Sequence, residues 1–172
     1  MILSTPRLTL RSWREADREP FAAMHFDAEV TRDLGGVFER ARSDAKLDRY
    51  MAAFESHGFC RWAIHDASGK FLGYAGIMPS GSDHPLGRHV DIGWRLVRSA
   101  WGQGIATEAA GAALRDAFTR VGLTEVLAYT DPDNLRSQAV MARLNLVRDS
   151  ARDFTLPGSG WRGLVWVARS IR

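Results

Sequence analysis

The stretch Asp91-Ile-Gly-Trp-Arg-Leu-Val-Arg-Ser-Ala-Trp-Gly-Gln-Gly-Ile-Ala-Thr-Glu108 decides the fold of this chain. Its first half predicts a strand over residues 89–97, and its alanine-rich end opens a predicted helix from Ile105 to Val121. Gly102 and Gly104 lie in the turn between them, where the missing Cβ lets the backbone curl and approach a ligand closely. A helix N-terminus leaves amides unpaired and carries partial positive charge, so this turn suits an anion such as a diphosphate. The alternative is an ordinary tight turn between a strand and a helix.

A second strand and a second helix follow directly. Residues Glu125–Thr130 predict the strand, and the turn Asp131-Pro-Asp-Asn134 ends it. Residues Leu135–Leu144 then predict a helix with Asn134 as its N-cap. The glycine turn therefore stands at the carboxyl end of the first strand in a strand–helix–strand–helix run. Open α/β sheets bind their ligands at that end of a strand.

The N-terminal half predicts three further strands and two helices, and one more strand closes the chain. Alternating side chains predict the first strand over residues 8–13, and a turn at Ser68-Gly69 predicts a hairpin. On this count the glycine turn follows the fourth strand. The other predicted elements are helices at Glu15–Phe26 and Ser43–His57 and strands at Arg61–Asp66, Phe71–Ile77 and Arg162–Ala168.

Five motifs stand in order along almost the whole chain. They are Thr5-Pro-Arg-Leu-Thr-Leu-Arg-Ser-Trp13, Asp91-Ile-Gly-Trp94, Trp101-Gly-Gln-Gly-Ile-Ala-Thr-Glu-Ala109, Asn134-Leu-Arg-Ser137 and Leu144-Asn-Leu146. With them the chain resembles the GNAT superfamily of N-acetyltransferases, in particular the branch that acetylates the N-termini of ribosomal proteins. The resemblance implies an α+β fold and a single domain over residues 1–172. It implies a central mixed, mostly antiparallel, twisted sheet of about seven strands, with helices on both faces and a β-α-β core that binds the cofactor.

The resemblance also implies acetyl-CoA as the acetyl donor. Its diphosphate would lie against amides of the glycine turn, and its pantetheine arm would add to the preceding strand as a short β-strand. One amide of that strand would point at the thioester oxygen; the alternative is that these residues simply pair within the sheet. The expected contacts are Leu96, Val97 and Arg98 for the arm, Gly102, Gln103, Gly104, Ile105, Ala106 and Thr107 for the diphosphate, and Asn134 and Ser137 on the second helix.

The reaction needs a base for the attacking amine and an acid for the departing thiolate. Asp91 occupies the place where relatives often carry a glutamate, and His89 lies on the same face of a regular strand. Either could accept the proton, directly or through water, and a water chain alone could suffice. Met141 stands where many relatives have a tyrosine acid, so the resemblance points to Ser137, whose alternative role is to satisfy first-turn amides. We interpret Glu108 as structural, because an inward carboxylate would repel phosphate.

The composition excludes several other functions. The chain has 172 residues, of which 45% are hydrophobic, and a net charge of +3. No basic run predicts direct binding of nucleic acid, and no apolar stretch approaches the ~20 residues that span a bilayer. A single cysteine, Cys60, permits no internal disulfide, and the histidines lack metal-like spacing, so we expect no metal. No signal peptide is evident, and we expect a cytoplasmic monomer or homodimer.

Two alternatives to an acetyltransferase stay open at the level of sequence. A non-catalytic acyl-CoA sensor would have the same fold and bind the cofactor without turnover. A dinucleotide-binding domain would need its glycine motif after the first strand, whereas this turn follows a later one. The acceptor is open as well. The resemblance favours a protein N-terminus, such as that of a ribosomal protein, but similar chains acetylate small-molecule amines, and the loops at 31–42 and 79–88 carry no pattern that decides between them.

Overall fold

A mixed, mostly antiparallel sheet of nine strands forms the centre of the protein in a computed structural model, which describes residues 1–170. The strands are β1 (Ile2–Ser4), β2 (Leu8–Arg11), β3 (Arg61–Asp66), β4 (Phe71–Ser80), β5 (His89–Leu96), β6 (Glu125–Thr130), β7 (Val147–Arg148), β8 (Phe154–Thr155) and β9 (Arg162–Arg169). Their order across the sheet is β1-β2-β3-β4-β5-β6-β9-β7, and β8 pairs with β9 beside this path. The predicted α+β fold class is confirmed.

The sheet has more strands than the seven or so that we expected. β1, β7 and β8 contain only two or three residues each, which is too short for an alternating pattern to reveal them. Because β1 precedes the first predicted strand, the glycine turn follows the fifth strand, β5, and not the fourth. The last two residues of the predicted domain, 171 and 172, lie outside the described residues.

Four helices cover the sheet: α1 (Arg18–His25), α2 (Arg40–His57), α3 (Ile105–Thr119) and α4 (Leu135–Arg143). Each lies where the sequence predicted a helix, with differences at the ends. Residues Glu15–Asp17, predicted to be helical, form a separate 3-10 turn before α1. Gly122, three residues after the end of α3, has a left-handed φ of 77°, a conformation that is common after a helix. No helix in this described part of the chain is long and apolar enough to cross a membrane.

Two hydrophobic cores fill the space on either side of the sheet. The first lies under α3 and α4 and includes Trp62 and Met141. The second lies under α1 and α2 and contains Trp13, Phe21 and Tyr50, whose ring centroids are 4.9–6.1 Å apart. β4 is buried along eight of its ten residues because it lies between both cores. The apolar pattern along the strands and helices thus fixes which face of the sheet each helix covers.

β5 and β6 are parallel neighbours that pair at one position only, Asp91 opposite Leu127. On its other side, β5 pairs with β4 over eight positions, from His89 to Leu96. β5 therefore stays in register with β4, and β6 turns away from it. The two parallel strands open toward their carboxyl ends, beside the turn that begins α3. This opening positions the candidate site.

His25 of α1 is a fully buried titratable group. Its ring stacks on Phe38 with centroids 4.7 Å apart, and its Nδ1 lies 3.1 Å from the Ser43 hydroxyl. Burial, with the positive charges of Lys46 and Arg95, lowers the pKa of His25 to about 3. The folded protein therefore keeps this ring neutral, whereas the unfolded chain protonates it near pH ~6.5.

We expect acid to destabilise the protein through His25. Between pH ~6.5 and about 3 the unfolded chain holds a proton at this ring that the folded protein does not, so the free energy of unfolding falls as the pH drops through this window. On going from pH 7 to pH 5, His25→Gln should lose about 2 kcal/mol less than the wild type in urea unfolding. His57→Gln, at the exposed end of α2, is the matched control and should follow the wild type. Equal pH slopes in all three proteins would contradict this assignment.

Candidate active site

The turn that opens α3 presents a row of free amides. Gly102 and Gly104 have left-handed φ angles of 73° and 74°, which a residue with a Cβ rarely adopts. The first hydrogen bond of the helix joins the Glu108 amide to the Gly104 carbonyl at 3.0 Å. Among residues 1–170, no protein acceptor bonds the six amides of residues 102–107, the predicted diphosphate contacts. A helix N-terminus with six free N–H groups can hold a diphosphate.

A charged clamp from the N-terminal loop fixes this turn. The Arg7 guanidinium donates to the Gln103 carbonyl at 2.9 Å and pairs with the Glu108 carboxylate at 2.6 Å. The Thr5 hydroxyl and the Arg7 amide donate to the same carboxylate at 2.6 and 3.1 Å. Burial alone would raise the pKa of Glu108, but the bonds from Thr5 and Arg7 outweigh it and lower the pKa. Glu108 thus has a structural role, as predicted, and Arg7 has a role that its motif did not reveal.

The amides of β5 alternate between its two neighbours, as they do in any strand of a sheet. The Val97 amide donates to the carbonyl of Leu72, near the start of β4, at 3.0 Å. The prediction that Val97 offers a free amide to the thioester arm is therefore wrong. By the same alternation the amides of Trp94 and Leu96 point toward β6, where the strands have separated. The Leu96 amide therefore stays a predicted contact of the thioester arm, and the Trp94 amide is a further candidate for that contact.

Contacts from three elements meet at the end of β5. Arg98, a predicted contact of the arm, pairs with Asp27 after α1 at 3.2 Å. The Trp101 indole donates to the Leu96 carbonyl at 3.1 Å, and the Arg136 guanidinium of α4 lies 4.5 Å from the Trp101 ring centroid. The residues after α1, the glycine turn and α4 are thus joined around the opening, with two arginines beside it.

The first turn of α4 supplies an amide side chain and a hydroxyl. Asn134 Oδ1 accepts from the Ser137 amide at 3.1 Å, so Asn134 caps the helix as predicted. Within the described chain the Ser137 hydroxyl itself has no hydrogen-bond partner, so it does not satisfy a first-turn amide. Met141 is 2% exposed in the apolar core and cannot donate a proton. Ser137 is the available hydroxyl on this face.

Asp91 is buried and ion-paired. It is 6% exposed, and its Oδ2 pairs with the Arg61 guanidinium of β3. The same guanidinium donates to the Gly76 carbonyl at 2.6 Å, and the Ser80 hydroxyl lies 3.4 Å from Asp91 Oδ1. Each carboxylate oxygen therefore already accepts a hydrogen bond from a neighbouring side chain.

His89 has the tautomer that a base requires. Its Nδ1 lies 2.8 Å from the Gly87 carbonyl, which can only accept, so Nδ1 is the donor, and in the neutral ring Nε2 has the lone pair. Nε2 is buried and has no hydrogen-bond partner in the part of the chain that the structure describes. The ring packs edge-on against His84 and Tyr129, with centroids 4.7 and 5.8 Å away.

Tyr129, which packs against His89, is a site residue that the sequence analysis did not identify. It lies on β6, two residues beyond the single position where β6 pairs with β5. Burial, and next the charge of Asp91, raises the pKa of Tyr129 to about 12. The phenol therefore stays protonated at neutral pH and can donate a hydrogen bond. An aromatic residue within a strand is typical of any core, so no local signal could have identified it.

Cys60 is fully buried, and burial raises the pKa of its thiol to about 12. The thiol is therefore protonated and packs as a small apolar side chain. Over residues 1–170, no group of three or more His, Cys, Asp or Glu side chains is arranged to hold a metal ion.

Comparison with known proteins finds similarity to acetyltransferases both in sequence and in structure. The acetyltransferase (GNAT) domain family matches residues 7–147. An acetyltransferase from Agrobacterium tumefaciens superposes with a TM-score of 0.84 and 26% identity, covering 99% of this chain and 95% of that one. The uncharacterized N-acetyltransferase YoaA of Bacillus subtilis is 24% identical over 86% of this chain and 84% of its own length. RimL, a ribosomal-protein alpha-N-acetyltransferase solved with coenzyme A, has a TM-score of 0.77 at 16% identity and covers 98% of each chain.

The match to the family and the shared fold identify the protein as an acetyltransferase. The chain belongs to the GNAT acetyltransferase family, as its motifs indicated. This membership removes the dinucleotide-binding alternative. Solved neighbours bind coenzyme A, and the six free amides here fit the diphosphate of that molecule.

Gly104→Val should abolish the binding of acetyl-CoA. A β-branched residue strongly disfavours the φ of 74°, so the turn would rearrange and its amides would no longer converge. Isothermal titration with acetyl-CoA measures the loss. Gly122→Val is the matched control, because Gly122 has a φ of 77° outside the site and the variant should bind as the wild type does. Unchanged affinity in a folded Gly104→Val protein would refute the role of this turn.

Asp91→Asn should lower the free energy of unfolding by about 3 kcal/mol, because it leaves a buried guanidinium without its counter-charge. Urea unfolding measures the change. The double variant Arg61→Leu/Asp91→Leu should recover most of the loss, since both charges are removed together. If the double variant is as unstable as the single one, packing and not charge explains the effect.

Proposed function

We propose that this protein transfers the acetyl group of acetyl-CoA to a primary amine, by direct attack in a ternary complex, and that the amine is a protein N-terminal α-amino group of the ribosomal-protein type. One observation carries the proposal: β5 and β6 separate beside six free amides. Family membership supports the acetyl donor, and RimL, whose fold is the same, supports the kind of acceptor.

The chain's own groups would bind and polarise the donor. The diphosphate would accept from the amides of residues 102–107, at the positive end of α3. The arm would lie in the opening along β5, where the amides of Trp94 and Leu96 face outward. One of these amides would donate to the thioester oxygen as negative charge develops there, an effect typically worth ~3 kcal/mol. Asn134 would contact the arm from α4.

Ser137 would supply the proton that the departing thiolate needs. Its hydroxyl has no partner within the described residues, so the proton is free to point into the opening. The buried Met141 cannot take this part. The hydroxyl would hydrogen-bond to the sulfur as negative charge develops and pass its proton to the thiolate, and solvent water would then reprotonate the serine oxygen.

The site offers two proton acceptors for the amine. His89 has a lone pair on Nε2, whereas the oxygens of Asp91 are already bonded to Arg61 and Ser80. We propose that His89 or Asp91 receives the proton through water from the opening. An α-amino group has a reference pKa of ~8 and a lysine ~10.4, so an N-terminal amine is the easier one to neutralise. This difference favours an N-terminal acceptor.

A peptide-library acetylation assay that follows release of the CoA thiol tests the proposed function. Acetylation of peptide α-amines is the expected result. Acetylation of small-molecule amines alone would change the acceptor class. Tight binding of acetyl-CoA without thiol release from any amine would indicate the acyl-CoA sensor instead.

Ser137→Ala should lower kcat by about tenfold or more and leave the affinity for acetyl-CoA nearly unchanged, because the hydroxyl acts on the leaving group in the transition state. Steady-state kinetics and isothermal titration separate the two quantities. Ser150→Ala, at an exposed serine in the 3-10 turn after β7, is the control and should behave as the wild type. Equal losses in kcat and in affinity would assign Ser137 to binding.

A further inference from the structure

One side of α2 carries a row of cations. Arg42, Lys46 and Arg49 follow one another at the i, i+4, i+7 spacing, which places them on one face of the helix. Within residues 1–170, none of the three forms a salt bridge with a carboxylate. The acidic residues Asp44 and Asp48 of the same helix have basic partners, which come from α1 and from the start of α2. The charges on α2 are therefore segregated, with the unpaired cations on a face of their own.

Lys46 is the central member of this row and lies partly buried. Its Nζ is 5.4 Å from the ring centroid of Phe38 and 5.6 Å from that of Tyr74 on β4. Burial lowers the pKa of Lys46. The charge of Tyr74 and a hydrogen bond with its phenol partly oppose this shift. A buried ammonium is unfavourable unless a negative group accompanies it, and Tyr74 is the only such group near Lys46, because no carboxylate within residues 1–170 forms a salt bridge with it.

The Tyr74 phenol shows how positive this region is. Burial alone would raise the pKa of Tyr74, but the charges of Lys46, Arg95 and Arg61 outweigh burial and hold the pKa below its ordinary value. Arg95 stands opposite Tyr74 in the register of β4 and β5. Arg95 and Arg61 each have an aspartate partner, so the charge of Lys46 is the one that no carboxylate offsets. The electrostatic potential around Lys46 favours an anion.

Two more nitrogens in this cluster have no hydrogen-bond partner in the described part of the chain: Nε2 of His25 and Nε of Arg95. The His25 side chain is fully buried, and the charges of Lys46 and Arg95 contribute to lowering its pKa. The Arg42 guanidinium stacks 3.7 Å from the Phe38 centroid, and His25 stacks on that same ring. Arg95 Nε is therefore a hydrogen-bond donor without an acceptor, close to the charge of Lys46.

Lys46 and Arg95 lie on the side of β5 that carries the proton acceptors. Successive side chains of a strand alternate between its faces, so Arg95 shares a face with Asp91 and His89. Arg95 directly precedes Leu96, whose amide faces the opening between β5 and β6. An acceptor whose amine reaches the thioester from this face would pass beside Lys46 and Arg95.

We propose that the amine acceptor carries a carboxylate, and that Lys46, supported by Arg42 and Arg49, binds it. This inference rests on the proposed acetyl transfer and names the class of its acceptor. Lys46 is a specificity-determining residue, because it attracts the carboxylate and leaves a neutral analogue of the same shape without a partner.

Acceptors that differ only in charge test the proposal. The first pair tests a carboxylate within a peptide and consists of the dipeptide amide Ala-Asp-NH₂ and its neutral analogue Ala-Asn-NH₂. The other is β-alanine and β-alaninamide, which presents it in a small molecule. In at least one pair the wild type should prefer the carboxylate by about tenfold in kcat/KM, and the preference should shrink as sodium chloride is added. The pair that shows it identifies the source of the carboxylate.

Lys46→Gln should abolish this preference by raising KM for the carboxylate acceptor. Lys46→Arg, which keeps the charge, should retain most of it. Lys70→Gln is the matched control, because Lys70 is the only other lysine of the chain and lies in the turn between β3 and β4. No preference in either pair, or a preference that survives Lys46→Gln, would overturn the inference.

A binding measurement separates this inference from the proposed function. If no member of either pair is acetylated, titration of the CoA-bound protein with glutarate still reports on the anion site. Glutarate bound by the wild type and at least tenfold more weakly by Lys46→Gln would uphold the site, although the proposed transfer had failed. No binding of glutarate to the wild type would overturn the site as well.

Discussion

The separation of β5 from β6 is the constraint on which the rest of the structure depends. A β-strand inside a sheet normally has partners on both sides, and its amides are then unavailable. β5 keeps all eight of its pairings with β4 but shares only the Asp91–Leu127 position with β6. Outward amides at Trp94 and Leu96 follow from this geometry. The turn before α3 then adds six more amides at one end of the same gap.

The two faces of the sheet differ in the polar groups that they present. The side covered by α3 and α4 provides neutral donors, namely backbone amides and the Ser137 hydroxyl, which suit a ligand that brings its own negative charge. The side covered by α1 and α2 provides side chains with charge: Asp91 with Arg61, Arg95 with its aspartate, and Lys46. The gap between β5 and β6 connects the two sides. A thioester held there, as we propose, would be exposed to an acceptor from the charged face.

Local features of the sequence were predictable, and distant pairings were not. The glycines at 102 and 104 and the alanines after them act on their own backbone, so the turn and α3 could be located from sequence. Asn134 was identified as a cap for the same reason. The Arg61–Asp91 pair spans 30 residues and the Arg7–Glu108 pair 101, so both depend on how strands and helices pack. Val97 was assigned wrongly because the direction of its amide depends on the register with β4, which the sequence does not reveal.

The clamp that joins Arg7 and Thr5 to Glu108 links the edge of the sheet to the ligand turn. β1 and β2 flank the loop that carries both residues, and β1 is a three-residue edge strand with one partner. Such strands fray readily when nothing else holds them. A molecule that binds only the ordered turn stabilises every contact that this order requires, by mass action. Occupancy of the turn would thus suppress fraying of the N-terminal hairpin, and slower amide hydrogen exchange in β1 and β2 would be its signature.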